Sequence, residues 1–309
     1  MSRDLVAPAG MDAVRFPAMG TEVAVTAPAG RIGEAAALVR DLFAEWDATL
    51  SRFRPGSELS RLNARAGTAV PVSALLYGVV DAALEAARAT CGVFDPTLLH
   101  DLVRAGYDRT FALLPQDAPA AATPASGGGG WRAVLLDPEW LTVTVPAGVG
   151  IDLGGIAKGM AVDAALDLLV AELGLEAALV DAGGDLAVRG VPADGVWPVA
   201  IEDAPDAILP LERGALATSG GAGRRWLQGG VERHHVLDPW TGEPARSHLR
   251  SVTVAAGSCR QAEVAATASF VLGRDGAADF LASHDLAGLL VGDDGGRATA
   301  GRWPVGVAA

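Results

Sequence analysis

The chain is short of cysteine, of positive charge and of long apolar runs, and each shortage bears on a class of function. Cys91 and Cys259 are the only cysteines in 309 residues. They make no Cys-x-x-Cys pair and no disulfide framework, so both read as buried, unreactive thiols. Lysine and arginine together number 24 against 37 aspartates and glutamates, a formal net charge of −13. No basic stripe breaks that balance, which argues against nucleic-acid binding. Half of the residues are hydrophobic, enough for a substantial core, yet the apolar runs are too short or too interrupted to span a membrane. The opening residues, Met1-Ser2-Arg3-Asp4-Leu5, show no basic segment leading into an apolar one, and no lipoprotein-type cysteine stands near them. The expectation is a cytoplasmic protein without a membrane anchor.

What is present is led by residues 151–163, where Asp152, Gly154, Gly155 and Lys158 precede a predicted helix. Glycines let a ligand approach the backbone closely, and a helix start offers free N–H groups and partial positive charge. The stretch reads as an anion-binding turn in which Asp152 fixes a hydroxyl or ring N–H and Lys158 meets a phosphate. It has neither the Walker A spacing nor G-x-G-x-x-G. Taken alone it reads equally as a strand-to-helix turn whose glycines permit tight packing.

Hydrophobic periodicity predicts a strand over 14–26, then helices over 33–50 and about 73–90. Residues 117–130 are rich in Ala, Pro and Gly and read as a surface loop or insert. A strand at 141–145, a helix ending near 173 and a strand pair over 177–190 follow. Strands are expected near 197–202, 234–237 and 251–256, helices near 260–272 and 276–283, and a last strand near 286–291. Strands and helices without regular βαβ alternation indicate an α+β fold. No break in composition divides the chain, so one compact unit over residues 1–309 is expected, with its motifs between about 14 and 292 and a flexible loop at about 117–130.

Other motifs accompany the glycine turn. Met19-Gly20-Thr21 lies near the N-terminus, and Ser51-Arg52-Phe53-Arg54-Pro55 leads into Ser57-Glu58-Leu59-Ser60-Arg61-Leu62-Asn63. Phe94-Asp95-Pro96-Thr97, Asp181-Ala182-Gly183-Gly184-Asp185 and Ala217-Thr218-Ser219-Gly220 come next in their order along the chain. His234-His235-Val236-Leu237-Asp238-Pro239-Trp240-Thr241-Gly242 and Ala262-Glu263-Val264-Ala265-Ala266-Thr267 complete the set. In this order and spacing the set resembles the ApbE family of FAD:protein FMN transferases, from about Met19 to about Gly292.

The resemblance implies one compact α+β unit with FAD in a cleft. It implies a Mg²⁺-dependent enzyme that moves FMN from FAD to a Thr or Ser hydroxyl of an acceptor flavoprotein and releases AMP. The family's flavin contacts fall on Met19, Phe53, Val93, Phe94, Asp95, Asp152, Lys158 and His235. Phe53 stands where many relatives carry Tyr, which keeps stacking and loses a hydroxyl. The family's magnesium ligands fall on Glu263, Thr267 and the backbone carbonyl of Gly155, with Glu263 in place of the usual Asp. Without that context, Glu263 reads as a solvated helix residue and Thr267 as a packing residue, though their spacing of four puts both on one helix face. Asp95, before Pro96, and Asp238, before Pro239, also read as turn residues.

His235 is the candidate base for the acceptor hydroxyl, with Asp238 as the alternative. On a strand, His234 and His235 would face opposite sides, so only one enters the site. A divalent cation and Lys158 would reconcile an acidic protein with an anionic pyrophosphate. Two other readings remain open at this point: a Mg²⁺-dependent FAD pyrophosphatase giving FMN and AMP, and a non-catalytic FAD-binding protein.

Overall fold

The computed structural model describes residues 7–303 except 194 and 222. In chain order the elements begin with β1 (Met11–Ala18), β2 (Thr21–Pro28), α1 (Ile32–Leu50), α2 (Glu58–Ala64), β3 (Ala69–Pro71), α3 (Ala74–Ala89) and α4 (Leu99–Arg104). Next are β4 (Asp117–Ala118), β5 (Leu135–Asp137), β6 (Thr142–Thr144), α5 (Ala157–Leu173), β7 (Ala178–Ala182), β8 (Asp185–Arg189), β9 (Trp197–Ile201) and β10 (Ala204–Leu211). The chain continues through β11 (Gly214–Gly220), β12 (Arg225–Gln228), β13 (Val231–His234), β14 (Leu249–Ala256), α6 (Cys259–Ser283), β15 (Ala287–Gly292) and β16 (Arg297–Ala300). The fold is mixed helix and sheet, as the periodicity indicated. No helix of the described residues is long and apolar enough to cross a membrane.

The chain divides into two compact units. The first comprises Met1–Glu45, Lys158–Ser219 and His248–Ala309; the second comprises Trp46–Ala157 and Gly220–Ser247. An eight-stranded sheet in the order β1-β2-β7-β8-β11-β14-β15-β16 forms the frame of the first unit. β7 is buried along its whole length, consistent with its unbroken Ala-Leu-Val start, which carries no polar side to turn to water. Leu179, Leu186, Trp197, Val199, Leu209, Leu216 and Leu289 pack into one core cluster. The Trp197 indole N–H donates to the Gly190 carbonyl at 2.9 Å, so the largest core side chain brings no unmet donor inside.

The predicted single strand over 14–26 is a hairpin. β1 and β2 pair antiparallel with Ala18 opposite Thr21. The turn is Met19-Gly20, both at positive φ (48° and 70°), the two-residue geometry that matches strand twist. Alternation runs through the turn undisturbed, and methionine is no usual turn residue, so periodicity alone did not expose the reversal. The two predicted C-terminal helices are both present: the span α6 consists of two helical segments separated at the non-helical Gly273 (φ 72°, ψ −177°). Glycine adopts that conformation without a Cβ clash.

The second unit carries two small sheets, β13-β12-β4 and β3-β6-β5. Its core joins Leu98, Leu102, Tyr107, Trp226 and Leu237, with Phe53 at the fringe. The segment 117–130, read as a free loop, is tied at both ends. β4 pairs in parallel with β12, and the buried Asp101 carboxylate accepts from Ser126 N, Ser126 Oγ and Gly127 N at 3.0, 3.1 and 3.0 Å. The Asp101 bonds join residues 25 and 26 positions apart and the β4–β12 pairing joins Asp117 to Leu227, separations to which local composition is blind. The predicted strand over 234–237 is also displaced: β13 ends at His234.

Candidate functional site

In the first unit, three charged side chains from distant segments converge. Lys158 is the second residue of α5, Asp185 opens β8, and Glu263 lies one turn into α6. The Lys158 Nζ lies 2.9 Å from Asp185 Oδ2 and forms a short ion pair with Glu263 Oε1. The other Glu263 oxygen, Oε2, accepts the Gly159 backbone N–H at 2.8 Å. Glu263 is only 2% exposed, so the solvated-helix reading is corrected by packing. Burial pushes its pKa up to about 7, against the pull of Lys158. Burial also opposes the charge on Lys158, but Asp185 and Glu263 outweigh it and hold the ammonium above its usual pKa.

Two features fix α6 against α5. The Asp163 carboxylate accepts from Cys259 N at 2.8 Å and Arg260 N at 3.0 Å, satisfying orphan amides of the α6 first turn. At Gly159 a Cβ would stand 2.7 Å from the Cys259 carbonyl oxygen, so only glycine permits this approach. The same crossing buries Cys259, whose thiol is pushed well above its usual pKa by burial. Cys91, by contrast, is exposed at the end of α3 and corrects the expectation of two buried thiols.

Thr267 follows Glu263 by one helical turn, and its hydroxyl lies 2.9 Å from Ser219 Oγ. Met19 occupies the strained turn of the β1–β2 hairpin, half-buried. That hairpin meets the Gly183-Gly184 turn between β7 and β8: Gly183 N donates to the Glu22 carbonyl at 3.1 Å, and a Cβ on Gly183 would collide with the Thr21 side chain. Two of the sequence motifs are therefore one structural corner.

In the second unit, Asp152 forms an ion pair with Arg52, Nε to Oδ2 at 2.5 Å, with side chains 16% and 7% exposed. Arg52 also donates to the Tyr107 carbonyl at 2.7 Å and stacks over Phe53 and Tyr107, 4.1 and 4.6 Å from their ring centres. Asp152 Oδ1 caps the glycine turn through Gly154 N at 2.8 Å. The side-chain amide of Asn63 pairs with both backbone groups of Ile151, each at 2.8 Å.

Phe94 presses on the same turn, since a Cβ on Gly155 would stand 3.0 Å from its ring. Val93 and Phe94 are buried. Asp95 accepts from Thr97 N at 2.7 Å and from the Gly129 amide, which is the turn role. His234 and His235 are both half-buried, but His235 follows β13, so strand alternation does not govern the direction it takes. His234 Nε2 lies 3.1 Å from the Ala245 carbonyl. Asp238 Oδ1 accepts from Trp240 N at 2.8 Å, holding the Asp-Pro-Trp-Thr-Gly turn.

Sequence reasoning missed Asp185, Arg52, Asn63, Ser219 and Asp163 as partners, although each lies inside a motif it had singled out. The arrangement offers hard oxygen donors: the Glu263 carboxylate and the Thr267 and Ser219 hydroxyls. That donor chemistry fits a Mg²⁺-type cation, which keeps several waters or phosphate oxygens beside one or two protein ligands. Among the described residues no group of three or more His, Cys, Asp or Glu side chains is placed to hold a metal.

Comparison with known proteins places these observations. The family described as "ApbE family" matches residues 19–290. A FAD:protein FMN transferase from Treponema pallidum is 34% identical over 271 residues, covering 80% of this chain and 73% of the relative. One from Vibrio cholerae is 32% identical, covering 82% and 78%. Among solved structures, an ApbE protein from Thermotoga maritima superposes with a TM-score of 0.84 at 28% identity, covering 97% of this chain and all of that one. The apo flavinyl transferase ApbE of Pseudomonas stutzeri gives 0.79 at 28% identity, with 94% of each chain covered.

Proposed function

The chain belongs to the ApbE family, and from that premise we propose that it is a Mg²⁺-dependent FAD:protein FMN transferase. A Thr or Ser hydroxyl of an acceptor flavoprotein attacks the FMN-side phosphorus of FAD. The phosphorus–oxygen bond to AMP breaks, the hydroxyl proton passes to His235, and AMP leaves while FMN stays as a phosphoester. The observation that carries this reading is the buried Glu263 carboxylate one turn from the Thr267 hydroxyl. A carboxylate and a hydroxyl four residues apart on one helix are hard oxygen donors of the kind a Mg²⁺-type cation takes beside substrate phosphates.

Glu263 and Thr267 would hold the magnesium ion, with the Gly155 carbonyl as a further ligand by family position. When bound, that ion supplies charge neutralisation on the pyrophosphate. Met19, Phe53, Val93 and Phe94 would supply apolar and aromatic wall for the isoalloxazine. Asp95, Asp152, Lys158 and His235 would make the polar contacts to FAD. Asp152 can accept a ligand N–H only alongside Arg52 and Gly154, which fix its orientation. His235 would act as base, with Asp238 as the alternative; the turn bond to Trp240 favours His235 for the proton.

The deciding experiment is mass spectrometry of a Thr- or Ser-bearing acceptor protein after incubation with this chain, FAD and Mg²⁺. A mass gain equal to FMN less one water is expected on the acceptor, with AMP in equal amount. FMN and AMP without an adduct would identify a pyrophosphatase instead. No turnover, with FAD bound, would identify a flavin-binding protein.

A further inference from the structure

Lys158 is the only lysine among the 24 basic residues of the sequence; every other one is arginine. Arginine serves at the surface pairs, as in Arg31 with Glu34 and Arg250 with Asp203. The one ammonium is kept for the most enclosed acidic corner of the first unit. A guanidinium is a planar fork that matches a carboxylate edge to edge, whereas an ammonium is a compact point charge on a flexible stem. An ammonium is therefore the protein group closest in kind to a small metal cation.

The geometry makes that likeness consequential. Both Glu263 oxygens are engaged, Oε1 with Lys158 Nζ and Oε2 with Gly159 N–H. Asp185, 4% exposed, reaches the same ammonium. A metal ion that takes Oε1 meets a positive charge already on that atom. Two cations on one carboxylate oxygen, with water largely excluded, repel strongly. The carboxylates, conversely, repel each other once no cation lies between them.

We propose that Lys158 is the resident counter-ion of this corner: its ammonium holds Glu263 and Asp185 in place in the metal-free protein and leaves Glu263 Oε1 when a divalent cation binds. This rests on reading Glu263 as a metal ligand. It adds a consequence for substrate. An ammonium released from Glu263 becomes available to an anionic phosphate, so divalent cation and phosphate-bearing ligand bind with positive coupling.

The test is Mn²⁺ binding, measured by calorimetry on the full chain without FAD, for wild type, Lys158→Met and Glu263→Gln. Lys158→Met is expected to bind Mn²⁺ about tenfold or more tightly than wild type, the effect of removing one like charge at ion-pair distance. Glu263→Gln is expected to lose binding. If Lys158→Met binds equally or more weakly while Glu263→Gln loses binding, displacement is overturned and Glu263 remains a ligand. If Glu263→Gln binds as wild type does, the ligand reading itself is wrong and the proposal falls with it. Should Lys158→Met fail to fold, the wild-type protein still decides. Grown with ¹⁵N-lysine it carries a single labelled ammonium, whose resonance should shift on adding Mg²⁺. Its acylation by a succinimidyl ester, read by peptide mapping, should accelerate as well. An unmoved resonance and an unchanged acylation rate at Mg²⁺ concentrations that displace bound Mn²⁺ would overturn the proposal.

Discussion

Gly159→Ala sets two helical effects against each other, and the structure decides which wins. Alanine is the better helix former by ~1 kcal/mol, which favours the substitution at a position with ordinary helical φ. The new Cβ, however, would meet three backbone atoms of the α6 first turn: Cys259 O at 2.7 Å, Cys259 C at 2.8 Å and Arg260 N at 2.9 Å. Backbone cannot rotate away as a side-chain tip can, so α5 and α6 must separate. Overpacking of that kind costs ~1–3 kcal/mol. The separation also stretches the 2.8 Å bond from Gly159 N to Glu263 Oε2, and a hydrogen bond to a charged group contributes ~1.5–3 kcal/mol. Gly159→Ala should therefore be destabilised by ~1.5–5 kcal/mol after the propensity gain, the upper end requiring full loss of that hydrogen bond. Gly78, in the interior of α3, has nothing within 4 Å of its would-be Cβ. There the same substitution should stabilise by ~0.5–1 kcal/mol. Urea denaturation of both variants, compared at the midpoint with unchanged slope, makes the check. A Gly159→Ala midpoint at or above wild type would refute the close-crossing argument, and a lowered midpoint for Gly78→Ala would refute the propensity argument.

Glu263→Ala should abolish Mg²⁺-stimulated turnover of FAD and also cost ~3–5 kcal/mol of stability, because it breaks a buried ion pair; FAD turnover and thermal denaturation read the two effects. The stability effect distinguishes this from a change at a solvated helix face. Asp163→Ala removes both bonds to the Cys259 and Arg260 amides and should cost ~1–2 kcal/mol by chemical denaturation, the range for a lost helix cap. Glu263 has a folded pKa of about 7 against an ordinary 4.5, so the native state holds its proton more tightly than the unfolded chain. Its contribution to stability therefore declines as pH rises through that window, in chelator-treated protein, and Glu263→Gln should flatten the decline in denaturation midpoints. His235→Gln should lower kcat by ~10²–10⁴ with FAD affinity retained if the ring accepts the hydroxyl proton; normal saturated turnover with weakened binding would make it a flavin contact only.

The elements were legible where they are long and periodic. The apolar stripe of α1, through Val39, Phe43, Trp46 and Leu50, is buried as periodicity required. The same method joined β1 and β2, because their reversal depends on two positive φ angles at Met19-Gly20 rather than on a break in alternation. At the site, residue identities were readable and their partners were not. Lys158 and Glu263 are separated by 105 positions, and Asn63 and Ile151 by 88. Nothing local tells Lys158 that its nearest anions are carboxylates of β8 and α6. Nor does the helical spacing of Glu263 and Thr267 reveal burial, since i and i+4 residues share a face whether that face meets water or core.

A chain with one lysine has one peptide bond that a lysine-specific endoprotease recognises, and here that bond joins Lys158 to Gly159 at the α5–α6 crossing. It lies in a helix, with Gly159 buried and the Lys158 side chain engaged by two carboxylates, so the folded corner presents no extended segment for cleavage. Cutting requires the start of α5 to open, and it yields just two fragments. The rate of that single cut is a local clock for this corner, readable on a gel without labels or substitutions. Where opening is fast relative to cleavage, it reports the free energy of local unfolding. Arginine at every other basic position leaves the rest of the molecule silent in the same assay.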